Sequence, residues 1–75
     1  MNRRELLRRL LTHQTNVAFR DMVDLVEGFG FRLDRTRGSH CIFVHPSVRE
    51  LVNLQEVRGQ AKPYQIRQFL KLVEQ

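Results

Sequence analysis

Apolar residues recur along this chain with two different periods. Leu6, Leu7, Leu10 and Leu11 fall on one stripe of a helix, with Arg4 and Arg8 on another side. The polar residues 12–15 interrupt that pattern, and Asn16 then fits the N-cap of a second helix. Phe19, Met22, Val23 and Val26 follow at i, i+3, i+4 and i+7. Gly28 fits the helix stop, and Gly30 opens the next turn. From there the period shortens. Phe31-Arg32-Leu33-Asp34 alternates apolar and polar, which predicts a half-buried strand, and residues 35–39 read as a hairpin loop. Cys41-Ile42-Phe43-Val44 is a continuous β-prone run and predicts the central strand; Pro46 holds His45 extended and ends it. Residues 51–54 predict a third, shorter strand, and residues 55–61, with Gly59, a polar loop. Pro63 suits the first turn of a last helix, whose stripe is Ile66, Phe69, Leu70 and Val73, with Arg67 and Lys71 on another face.

Consecutive hairpins imply a three-stranded antiparallel meander. Helices before and after it would pack on one of its faces, giving a two-layer α+β domain of order α-β-β-β-α plus an extra N-terminal helix. His40, Ile42 and Val44 share one face of the central strand, and Cys41 and Phe43 the other. Periodicity alone leaves open which face is core. A length of 75 residues predicts a single domain over 1–75, with residues 1–13 as a helical extension ahead of a core at 16–74. A chain this short buries only roughly 60% of the surface its unfolded form exposes, so a partner would stabilise it.

Composition adds charge to that outline. The apolar content, 41%, is ordinary for a globular protein and argues against disorder. The formal net charge is +5, and all but Lys62 and Lys71 of the 13 basic residues are arginine. Arginine suits bidentate recognition of phosphate or carboxylate, so the expected partner is a polyanion or an acidic protein. The single cysteine, Cys41, excludes an internal disulfide and is compatible with a reducing cytoplasm. No apolar run approaches the ~20 residues of a membrane span, so no membrane association is expected.

The candidate chemistry sits at Arg35-Thr36-Arg37-Gly38-Ser39-His40. A histidine moves protons near neutral pH, and guanidiniums beside it hold phosphate. RNA is cut when its own 2′-hydroxyl attacks the adjacent phosphate, which needs a base, cations for the developing charge and an acid for the leaving oxygen. His40 can be the base or the acid, Arg35 and Arg37 can carry charge at the phosphate, and the Gly38 and Ser39 N–H groups can add hydrogen bonds. Arg58 and Lys62, near the start of the last helix, are placed to meet phosphate, and Arg67 lies on that helix. His45 lies five residues along an extended strand, so it points to the opposite face from His40. The three histidines lack metal-ligand spacing, and neither metal nor cofactor is expected.

The run Gly-Phe-x-Leu-x-Arg-x-Arg-Gly-Ser-His-x-Ile-Phe-x-His-Pro, from Gly30 to Pro46, resembles the core motif of the HicA family of toxins. The stretch Gly59-Gln60-Ala61-Lys62-Pro63-Tyr64-Gln65-Ile66-Arg67 resembles the family's second block. Together the resemblance covers about residues 16–74. It implies a double-stranded-RNA-binding-domain-like fold and a metal-independent endoribonuclease (an mRNA interferase) with His40 catalytic. It also implies mRNA as substrate, and a HicB-type antitoxin partner in a hetero-oligomer that silences the toxin. Many members carry a second histidine where this chain has Cys41. The alternative is a non-catalytic basic RNA-binding module, which would show salt-dependent RNA affinity without cleavage. A third reading is an interaction protein whose basic surface docks an acidic partner without RNA affinity.

Overall fold

A computed structural model describes residues 2–74. The elements run α1 (Arg3–Leu10), α2 (Phe19–Gly28), β1 (Arg32–Arg37), β2 (His40–His45), β3 (Val48–Val57), β4 (Gln60–Ala61) and α3 (Pro63–Val73). The strands form one antiparallel sheet in the order β1-β2-β3-β4. The helices lie on one face of it, in the expected α+β, double-stranded-RNA-binding-domain-like arrangement. The sheet has four strands rather than three. The expected loop at 55–61 is instead the end of β3, a tight turn at Arg58 and Gly59, and the two-residue β4. β3 is correspondingly the longest strand, not a short one at 51–54.

Each helix has a local reason for its ends. The Asn2 side chain accepts the Glu5 N–H at 2.9 Å and donates to the Glu5 carboxylate at 2.8 Å, closing a reciprocal cap on α1. Leu6 and Leu10 are buried, whereas Leu11, expected in the same stripe, lies past the helix end and is 65% exposed. Asn16 does not cap α2. It takes a left-handed φ of 57°, which asparagine tolerates, and α2 begins three residues later after Ala18. Pairing with β4 overrides the local cap signal: the Ala61 N–H donates to the Val17 carbonyl and the Phe19 N–H to the Gly59 carbonyl. The segment is thus held extended until Phe19. Pro63 is in the first turn of α3 as expected.

The core settles which face of the sheet is covered. Phe43, Val52 and Leu54 are buried against Leu6, Leu10, Met22, Leu25, Val26, Ile66 and Phe69, with Cys41 packed at the margin. His40, Ile42 and Val44 therefore lie on the open face. β1 is exposed along its whole length and is not the half-buried strand its alternation predicts. The residue that inserts is Phe31, just ahead of the strand, which meets Phe69 edge-on with ring centroids 5.9 Å apart. Gly30 makes room for this. Its φ is +95°, and a Cβ there would lie 2.9 Å from the His45 ring.

Candidate functional site

β1 continues through Arg35, Thr36 and Arg37, so the expected loop at 35–39 shrinks to a turn at Gly38 and Ser39. Gly38 takes the left-handed φ, +57°, that the turn demands. The consequence is a fixed register. Arg37 stands directly opposite His40, and Arg35 opposite Ile42. Opposed residues share a face, so both arginines project from β1 on the open side of the sheet, the side that carries the imidazole.

His40 is half-buried and its ring is held from β3. Its Nδ1 lies 3.0 Å from the Asn53 Oδ1. That oxygen only accepts, so in the neutral ring this bond places the proton on Nδ1 and leaves the lone pair on Nε2. Asn53 pairs with Ile42 and lies on the same open face, one row from His40. The sequence gives no signal for this contact, because the two residues sit on different strands and meet only through β2–β3 register. In the same row as His40, the Gln55 side-chain amide donates to the Ser39 hydroxyl at 3.1 Å, and the Glu56 N–H donates to the Ser39 carbonyl. The turn before His40 is thereby tied to β3.

The other expected site residues divide into two groups. Arg58 occupies the β3–β4 turn, three residues beyond Gln55, in a left-handed φ of 54°. Lys62 precedes α3 as its N-cap residue. The Gln65 side chain in the first turn of α3 accepts the Gln55 N–H at 2.7 Å, so this helix start lies at the His40 end of the sheet. Arg67 is exposed on α3, in the layer behind the sheet, and is not brought onto the face that carries His40. His45 faces the other way, its ring centroid 5.0 Å from that of Phe31 and its Nδ1 accepting the Ser47 N–H. His13 is exposed beyond α1 against the Thr12 hydroxyl.

The family model described as HicA toxin of bacterial toxin-antitoxin matches residues 19–74, from the start of α2 to the end of α3. The chain belongs to the HicA toxin family. No curated protein and no solved structure matches it. It is therefore a toxin of a toxin–antitoxin system, and α1 lies outside the matched span. In this toxin Cys41 points to the helix side of the sheet, away from His40. A histidine at that position would face the core side, so its replacement by cysteine leaves the open face intact.

Proposed function

We propose that this toxin is an mRNA interferase that cuts RNA with His40 as its proton-transfer group. The observation that carries the reading is the pairing of His40 Nδ1 with Asn53, which leaves Nε2 free beside Arg37 and Arg35 on an open surface. Nε2 takes the proton from the RNA 2′-hydroxyl as its oxygen bonds to the adjacent phosphorus. The bond from phosphorus to the 5′-oxygen then breaks, and that oxygen leaves protonated, from the imidazolium or from water. The products are a 2′,3′-cyclic phosphate and a 5′-hydroxyl. Arg35 and Arg37 hold the charge that builds on the phosphoryl oxygens, and the N–H groups of Gly38 and Ser39 lie in the adjoining turn. Asn53 keeps the ring in the productive tautomer, a positioning role. Arg58 and Lys62 extend the cationic surface at the same end of the sheet.

The reaction needs no cofactor on this reading. Its silencing partner is a HicB-type antitoxin with an acidic surface that covers His40 and its arginines, in a cytoplasmic complex with the toxin. The test compares wild type with His40→Ala for growth arrest and for RNA cleavage in EDTA. Loss of the imidazole is expected to lower cleavage about 10²–10⁴-fold, the usual contribution of one acid–base group. A His40→Ala protein that is as toxic and cleaves as fast as wild type refutes the assignment.

A further inference from the structure

On a regular strand Arg35 and Arg37 share a face, but Arg32, three residues before Arg35, would point to the other one. β1 is not regular. Its register slips between Leu33 and Arg35, so that Arg32 pairs with Val44, Arg35 with Ile42 and Arg37 with His40. Directly opposed residues share a face, and Val44, Ile42 and His40 all point to the open side. The bulge at Asp34 therefore turns three guanidiniums to one face, each in register with an alternate residue of β2. Successive rows lie roughly 7 Å apart. That spacing is comparable to the repeat of phosphates along an extended single strand of RNA.

The surroundings fit the same occupant. All three arginines are exposed, and β1 is the edge of the sheet, so no further strand lies beside them. Inward of the arginines the surface carries Ile42 and Val44, half-buried, and Leu51, 54% exposed. Single-strand binders track the phosphates with a basic groove and seat the bases on apolar side chains, aromatic in the usual case and aliphatic on this strip. An A-form duplex winds its phosphates away from a straight edge and would meet only part of the row. The Asp34 carboxylate pairs with Arg35 in the free protein, and a phosphate would displace it.

We propose that Arg32, Arg35 and Arg37 form a ladder that grips successive phosphates of single-stranded RNA and delivers one of them to His40. The proposal rests on the reading of His40 as the cleaving group, but its test does not depend on cleavage. Binding is measured by fluorescence anisotropy with a short labelled single-stranded RNA, in a His40→Ala background that leaves the RNA intact. Arg32→Gln is expected to weaken binding about three- to tenfold and to lower the slope of log affinity against log salt by about 0.7, the share of one phosphate on a single strand. Arg20→Gln, exposed on α2 behind the sheet, is expected to change neither. A duplex of the same sequence is expected to bind more weakly. The ladder is overturned if Arg32→Gln binds like its parent or loses no more than Arg20→Gln. It is equally overturned if the duplex binds as tightly as the single strand. Wild-type protein that binds through the ladder yet never cuts would overturn the His40 reading alone.

Discussion

His40 depends on a residue 13 positions away in the chain. The imidazole is exposed enough to meet substrate, yet one of its nitrogens is committed to Asn53. A ring free to rotate would present either nitrogen, and only one arrangement directs the lone pair outward. Asn53→Ala is accordingly expected to leave the fold intact and slow RNA cleavage. A hydrogen bond to a group that becomes charged is worth about 1.5–3 kcal/mol, or roughly ten- to a hundredfold in rate. Single-turnover cleavage with the variant's thermal melt alongside checks this. Asn53→Asp keeps an acceptor and adds a negative charge that favours the imidazolium, so its pH–rate profile should move to higher pH. An unmoved profile would mean that Asn53 plays no part in holding the proton. The histidine and its two nearest arginines were legible in the sequence because they lie within one hairpin. Asn53 was not, since strand residues thirteen apart become neighbours only through register.

At the scale of elements, local patterns were reliable where the chain pairs with itself nearby and misleading where it pairs at a distance. α2 and α3 read correctly from their apolar stripes, and α3 also from Pro63; Gly28 is the last residue of α2 rather than its stop, and Gly30, two residues on, takes the left-handed φ that ends the helix. Asn16 misled, because the segment before α2 runs beside β4 and stays extended. β4 itself was illegible: two residues carry no period. The alternation in β1 named the right strand but the wrong burial, as an edge strand with Phe31 inserted ahead of it leaves Leu33 exposed. α1 offers a clean test of which leucines matter. Leu10 is fully buried in the shared core and Leu11 is not. Leu10→Ala is expected to cost about 2–5 kcal/mol in urea unfolding, the usual range for a buried leucine. Leu11→Ala is expected to stay within about 0.5 kcal/mol of wild type. Equal effects from the two would mean that α1 does not pack as described.

The whole molecule has one covered face and one open face. Helices and core occupy one face of the sheet, and the other carries His40, its arginines and a strip of apolar side chains. An antitoxin that silences the toxin by covering this open face would meet a positive charge that the chain does not neutralise internally. Only Arg3 and Arg35 form ion pairs among the described residues. Such a partner should bind more weakly as salt rises, and it should stabilise the toxin by mass action. At a concentration a hundredfold above the dissociation constant the gain is about 2.7 kcal/mol. Thermal melts of toxin with antitoxin at low and high salt would read both effects. Stabilisation that is indifferent to salt would place the interface away from the arginines.

The sequence by itself determined the order of most elements, the two-layer class and the histidine beside its arginines. Those follow from periods of 3.6 and 2 and from residues adjacent in one hairpin. The tertiary structure alone decided three things: that Phe43 and not His40 faces the core, that Asn53 holds the imidazole, and that a bulge at Asp34 aligns Arg32 with Arg35 and Arg37. Each depends on how strands register against their neighbours. A slip of one residue reverses a face, and no local pattern records which slip the folded chain adopts.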